Sequence, residues 1–175
     1  MRIGVFASAS MNQYEDNVKE LGRALGHAGY SLVYGGCAFG LMDAVAAGFA
    51  EAGAEMLAAV PKVFETAPVH KACSQVVITE SLTDRKEWMI DHSDAFLILP
   101  GGIGTMDELF TVLAQKTIGQ HAKPVFLYAP DQYYDGLMTV LEEMHQHGAI
   151  PDPIEGFLVY CHTKEEVLLN LGSGK

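Results

Sequence analysis

The sequence predicts an α/β fold, a parallel sheet of about seven strands with helices on both faces, and three observations carry that prediction. Short apolar runs of strand length recur along the 175 residues. Stretches of helical period separate them, so the chain reads as repeated strand–helix units. Several of the runs are apolar at nearly every position, as strands covered on both faces are.

Arg2 to Phe6 opens the chain as the first strand. Tyr14, Val18, Leu21 and Leu25 then recur at helical spacing opposite a polar face, which marks a core-facing helix. Ser31 to Tyr34, Met56 to Val60, Val76 to Thr79, Ala95 to Leu99, Pro124 to Tyr128 and Phe157 to Cys161 are the further strands. Leu137, Val140, Leu141 and Met144 form a second apolar stripe on a late helix. Met42, Met89, Met106 and Met144 read as core filler. The longest irregular stretch, Pro61 to Ser74, is either a surface excursion or a flap over a ligand. No linker, low-complexity tract or fixed-period repeat interrupts the pattern, so residues 1–175 are expected to form a single domain.

Charge narrows the function. With 22 acidic against 11 basic side chains, a net charge of −11 opposes a polymeric nucleic acid, whose binding relies on many Lys and Arg. No apolar run approaches the roughly 20 residues of a membrane helix, and the N-terminus reads at once as a strand rather than a leader. A soluble, cytoplasmic protein with no membrane partner is expected. Cys37, Cys73 and Cys161 are scattered, with no C-x-x-C and no His at zinc spacing, so they read as reduced thiols and no metal site is expected.

Two apolar strands run into a glycine-rich turn with a helix beginning at once: Leu32-Val-Tyr-Gly-Gly-Cys-Ala-Phe-Gly40 and Leu97-Ile-Leu-Pro-Gly-Gly-Ile-Gly-Thr105. Glycines let the backbone approach a ligand, and the following helix offers unpaired N–H groups and the positive end of its dipole, so phosphate suits such a turn. Neither turn is a dinucleotide G-x-G-x-x-G or a nucleoside triphosphate loop. Gly35 and Gly36 in the first turn serve a ligand or simply a tight turn; Gly101, Gly102, Gly104 and Thr105 in the second favour a ligand. The helix expected to open at Thr105 carries Asp107 and Glu108 in its first turn, where either is a capping carboxylate or, for Glu108, a group reaching the ligand. Arg85 and Lys86, adjacent before an apolar helix face, are an anion site or a solvated basic pair.

Taken together, Arg85-Lys86 and Ser93-Asp-Ala-Phe-Leu-Ile-Leu-Pro-Gly-Gly-Ile-Gly-Thr-Met-Asp-Glu108 resemble the LOG family, the cytokinin riboside 5′-monophosphate phosphoribohydrolases often labelled lysine decarboxylases. Both the family's R-K pair and its P-G-G-x-G-T-x-x-E motif are complete. Leu32-Val-Tyr-Gly-Gly, Gly40-Leu-Met, Gly119, Lys123-Pro124 and Tyr133-Tyr134 extend the resemblance along almost the whole chain. It implies a Rossmann-like doubly wound fold, usually a homodimer, that hydrolyses the N-glycosidic bond of a purine nucleoside 5′-monophosphate to free base and ribose 5-phosphate. No metal or organic cofactor is implied. Arg85 and Glu108 are implied as the catalytic pair, Gly101, Gly102, Gly104 and Thr105 as the phosphate site, and Lys86 as a substrate contact; Gly35, Gly36, Glu65 and Met89 are further candidate substrate contacts.

The chain departs from the family pattern at Cys37, where the first turn usually has a third glycine, and at Asp43 after Met42. Thr83-Asp84 replaces the usual His-Glu before R-K, Gln115 replaces a common aromatic, and Glu65 is the nearest carboxylate to a missing P-R-E run. Two other readings are a nucleotide carrier on the same fold, which has no need of Glu108, and lysine decarboxylation. The latter requires pyridoxal phosphate on a Schiff-base lysine, and no Lys here stands in the expected Ser/His-Lys context.

Overall fold

The computed structural model describes residues 1–150 and 153–172. Its strands are β1 (Arg2–Phe6), β2 (Ser31–Tyr34), β3 (Met56–Pro61), β4 (Gln75–Thr79), β5 (Ala95–Ile98), β6 (Val125–Tyr128) and β7 (Val159–Cys161). They form one all-parallel sheet in the order β4-β3-β2-β1-β5-β6-β7. The chain builds outward from β1 to β4, then returns to lay β5 against the other side of β1. That reversal opens a crevice at the carboxyl ends of β1 and its neighbours, where open α/β sheets bind ligands.

The helices are α1 (Glu15–His27), α2 (Gly40–Glu51), α3 (Leu82–Asp91), α4 (Ile103–Thr117), α5 (Asp135–Gln146), α6 (Ile154–Phe157) and α7 (Lys164–Gly172). Because side chains alternate along a strand, each central strand feeds two cores. Ile3, Val5, Leu32, Tyr34, Met56 and Leu97 pack under α1, α2 and α7. Phe6, Val33, Leu57, Phe96 and Ile98 pack under α3, α4, α5 and α6. Both faces are thus covered, as the near-continuous apolar runs predict. Among the described residues no helix is long and apolar enough to cross a membrane.

Four local expectations change. On β4, Val76 and Ile78 stay 44% and 47% exposed, because β4 is the edge strand and the cover stops at β3, where their partners Ala58 and Val60 are buried. The run Phe157 to Cys161 divides: Pro153 precedes a helical turn ending at Phe157, and only Val159–Cys161 pairs with β6. The stripe on α5 buries Leu141 but leaves Val140 and Met144 exposed. Helix α4 begins at Ile103, two residues ahead of Thr105, so Asp107 and Glu108 fall in its second turn.

Helices α1 and α2 approach through glycines. A Cβ on Gly22 would stand 2.6 Å from the Val45 carbonyl oxygen, and one on Gly48 would stand 2.7 Å from the Arg23 nitrogen. Backbone on the facing helix cannot yield as a flexible side chain can. Gly48→Ala gains helix propensity of about 1 kcal/mol but meets an overpacking cost of about 1–3 kcal/mol. We expect a net loss of stability, read as a lower midpoint in urea unfolding; an unchanged or raised midpoint would show that the helices separate freely.

Candidate active site

Three turns emerge side by side at the carboxyl edge of the sheet: residues 7–10 after β1, 35–37 after β2 and 99–102 after β5. Between them lies a cleft of two lobes. The polar lobe, about 320 Å³, is lined by Ser8, Ser10, Gly102, Gly104, Thr105 and Glu108. The apolar lobe, about 310 Å³, is lined by Phe39, Val60, Phe64, Pro68 and Val69 around Gly35, Gly36 and Cys37. Ala9, Met42 and Arg85 belong to both.

Local structure explains each wall. Gly36 has φ 79°, and a Cβ there would sit 2.7 Å from the Val60 side chain, so the turn after β2 requires glycine at this point. Cys37 pairs with Val69 in an isolated antiparallel bridge, and the Ala38 N–H donates to the Pro68 carbonyl at 3.0 Å. Within the stretch Pro61 to Ser74, Phe64, Ala67, Pro68 and Val69 form a wall of the apolar lobe. At the second turn, the first helical bond of α4 runs from the Met106 N–H to the Gly102 carbonyl at 3.0 Å. The amides of residues 103–105 therefore have no helical acceptor and crown the polar lobe with the positive end of the dipole.

Arg85 is placed by the start of α3. Ser81 caps that helix, its Oγ accepting from the Asp84 N–H at 3.1 Å, while the Arg85 N–H donates to the Ser81 carbonyl at 3.1 Å. From there the guanidinium crosses to α4, and its Nη2 donates to Glu108 Oε1 at 2.6 Å. The two side chains are only 12% and 10% exposed. Arg85 Nε is buried with no acceptor among the described residues, an unmet donor at the junction of the lobes. Burial pushes the Glu108 carboxyl up to about 7, with the Arg85 charge pulling the other way and Asp107 adding to the rise. Glu108 is thus no capping group but a carboxylate held inside the cleft.

Not every expected contact joins them. Gly35, Gly36, Gly102, Gly104 and Thr105 line the cleft, and Gly101 lies buried directly beneath it. Lys86 does not: its Nζ donates to Asp107 at 2.8 Å and to Thr111 at 3.0 Å along α4, outside both lobes. Adjacent helical residues point about 100° apart, so when Arg85 faces the cleft Lys86 faces the neighbouring helix. Met89 shares Arg85's face one turn deeper and is wholly buried in the core under α4, which corrects its placement as a substrate contact. Glu65 ends a short 3-10 turn in an exposed position, while its neighbour Phe64 takes the wall of the lobe.

The sequence reading missed Ser8 and Ser10, whose signal was a run of small residues straight after the first strand. Ser8 Oγ accepts from the Ser10 and Met11 amides, each at 3.1 Å, and so shapes this turn. It also missed Phe39, Met42 and Phe64, which lie beyond the periodic segments or at their ends. The carboxyl of Glu108 yields a direct test. Its folded value lies above the ordinary 4.5, so between those pH values the folded chain keeps a proton that the unfolded chain has lost, and this group's contribution to stability falls as pH rises. A carboxyl NMR titration should show one glutamate near 7 that disappears in Glu108→Gln and moves higher in Arg85→Met. A downward move in the latter would deny the pairing.

Comparison with known proteins agrees with this geometry. A family model described as possible lysine decarboxylase matches residues 42–171. A cytokinin riboside 5′-monophosphate phosphoribohydrolase of Mycobacterium tuberculosis is 33% identical over 168 residues, 93% of this chain and 89% of its own. One of the same name from Arabidopsis thaliana is 32% identical over 174 residues, 97% of this chain and 81% of its own. Among solved structures, a molybdenum cofactor binding protein from Rippkaea orientalis has a TM-score of 0.74 at 20% identity, covering 98% of this chain and 95% of that one. The molybdenum cofactor carrier protein of Chlamydomonas reinhardtii follows at 0.72 and 18%, covering 98% and 96%. At such identities these two share the Rossmann-like fold alone. Sequence relatives spanning nearly the full chain bear out the resemblance drawn from Arg85-Lys86 and the Pro100-to-Glu108 motif: the chain belongs to the LOG family.

Proposed function

We propose that the protein hydrolyses the N-glycosidic bond of a purine nucleoside 5′-monophosphate, cytokinin-type or adenine, releasing the base and ribose 5-phosphate. The observation that carries this is the position of the Arg85–Glu108 pair where an anion-suited lobe meets an apolar one. Phosphate fits against the amides at the start of α4, the base fits the apolar lobe, and the ribose then lies beside Glu108. The names of the sequence relatives support the same chemistry.

In this placement a water oxygen bonds to C1′ as the bond from C1′ to the base nitrogen breaks, and the electron pair leaves with the base. Positive charge grows on the ribose, and the Glu108 carboxylate stabilises it while accepting a proton from the water. The base takes up one proton from solvent as it leaves and Glu108 returns its proton to solvent, so that one water is consumed and the carboxylate is restored. Arg85 reaches both lobes, orients Glu108 and favours its ionised form against the burial that raises the carboxyl.

Other chemistries fit less well. Pyridoxal phosphate needs a lysine in the site for its Schiff base, and among the described residues no lysine lines either lobe, so these residues do not suit lysine decarboxylation. A carrier of nucleotides would use the amides but not a buried carboxylate. A homodimer belongs to the proposal; exposed Phe110 on α4 and Met144 on α5 supply apolar surface for it.

Hydrolysis assays separate these readings. AMP should yield free base, adenosine should not, and ribose 5-phosphate should inhibit, because the phosphate supplies binding energy that orients the ribose. Glu108→Gln should lower kcat on the order of 10²-fold or more while AMP still binds. Since the carboxylate is the active form, kcat/KM should rise with pH to about 7 and then level. AMP bound tightly but intact after hours would establish the carrier instead.

A further inference from the structure

The glycine turn after β5 can present either amides or carbonyl oxygens to a ligand, depending on how its peptides are rotated. Only amides attract phosphate. The structure ties down three successive carbonyls here. The Leu99 carbonyl accepts from the Tyr134 hydroxyl at 2.8 Å, the Pro100 carbonyl from the Ser8 N–H at 3.2 Å, and the Gly101 carbonyl from the Tyr133 hydroxyl at 3.1 Å. In a trans peptide the N–H points opposite to the carbonyl before it. Fixing the Gly101 oxygen on Tyr133 therefore fixes the Gly102 N–H toward the lobe that Gly102 lines.

Both hydroxyls come from one short segment with an uncommon backbone. After β6, Asp131 and Gln132 both take left-handed φ, 52° and 61°, although neither is glycine. Such conformations persist where surrounding structure imposes them, and they gather at functional sites. Here they launch the two tyrosines toward β5. Tyr133 is further held between rings, edge-on to Tyr134 with centroids at 4.8 Å and to Tyr14 at 6.1 Å. Tyr14, just ahead of α1, is the remaining non-glycine residue with positive φ among those described, at 74°. The three strained positions thus flank Tyr133: Asp131 and Gln132 precede it in the chain, and the Tyr14 ring packs against its ring. Burial raises the Tyr134 hydroxyl above the ordinary tyrosine range, which keeps it a donor.

We propose that Tyr133 is a positioning residue, which holds the Gly101 carbonyl out of the cleft and so aims the Gly102 amide at the 5′-phosphate; the Tyr134 hydroxyl meets the Leu99 carbonyl of a peptide without an N–H, since Pro100 follows, and only steadies the turn. Neither tyrosine need touch the substrate, and neither takes part in bond making. The proposal rests on the phosphoribohydrolase reading for the identity of the ligand. Without the Tyr133 hydroxyl, the peptide between Gly101 and Gly102 is free to rotate, and its carbonyl oxygen would then repel the phosphate.

The test is calorimetric binding of ribose 5-phosphate, AMP and adenosine to the wild type, Tyr133→Phe and Tyr134→Phe, alongside AMP kinetics and thermal melts. Each Phe variant removes one hydroxyl and keeps the ring contacts. In Tyr133→Phe, loss of one neutral hydrogen bond should weaken ribose 5-phosphate and AMP roughly 3- to 10-fold and raise KM for AMP similarly, whereas Tyr134→Phe, which frees no amide, should weaken them less. Affinity for adenosine should not change. Equal affinity for ribose 5-phosphate in Tyr133→Phe and wild type, or an equal loss for adenosine, would overturn the positioning role while leaving the hydrolase reading in place. A wild type that binds neither ribose 5-phosphate nor AMP would overturn the hydrolase reading, and this proposal with it. Should Tyr134→Phe unfold, Tyr133→Phe alone decides, because Tyr133 is partly exposed and its ring remains seated.

Discussion

The ion pair between Arg85 and Glu108 is the interaction on which the cleft depends. Burying a carboxylate costs several kcal/mol unless a partner compensates it, and stripping one partner from such a pair costs about 3–5 kcal/mol. Glu108 is nearly enclosed, with Arg85 Nη2 at 2.6 Å as its compensation. The pair also fixes geometry. Arg85 starts on α3 and Glu108 on α4, so the pair ties the two helices together where both side chains line the polar lobe. What results is a carboxylate poised near neutrality between a lobe suited to an anion and a lobe suited to a flat apolar ring.

Sheet topology makes that juxtaposition possible. Residues 7–10, 35–37 and 99–102 are far apart in sequence, and they meet because β2 and β5 both pair with β1. The Ser8 N–H bond to the Pro100 carbonyl continues the β1–β5 ladder into the loops and binds two of the turns together. Tyr133 and Tyr134 arrive from the next strand along, β6, and support the same turn from the other side. The site is therefore built from loops on a rigid frame, whose strands hold their positions through two separate cores.

Much of this was legible in the sequence. The strands stand out because strands covered on both faces are apolar throughout, and the parallel order follows from the helices between them, except between β3 and β4, where a 3-10 turn and an irregular stretch make the crossover. Edges were harder: Val76 and Ile78 look like core residues, yet cover depends on where the last helix lies, which no local pattern records. In the site, glycine turns, Arg85 and Glu108 were legible because their chemistry is local. Lys86 and Met89 were misplaced because adjacency in sequence is not adjacency on a helix, where phase alone decides that Arg85 enters the cleft. The apolar lobe was invisible, since Phe39, Phe64 and Val69 come from separate segments that meet where Cys37 bridges Val69 and Ala38 bonds Pro68.

One measurement bears most directly on the account: a crystal structure of the Glu108→Gln variant soaked with AMP. The account predicts phosphate oxygens about 3 Å from the amides of residues 102–105, as hydrogen bonding requires. The adenine ring should lie in the apolar lobe against Phe39 and Phe64, and the ribose carbon that bears it should face residue 108. Phosphate bound instead along Lys86 and Asp107, or a base lying over the start of α4, would contradict it.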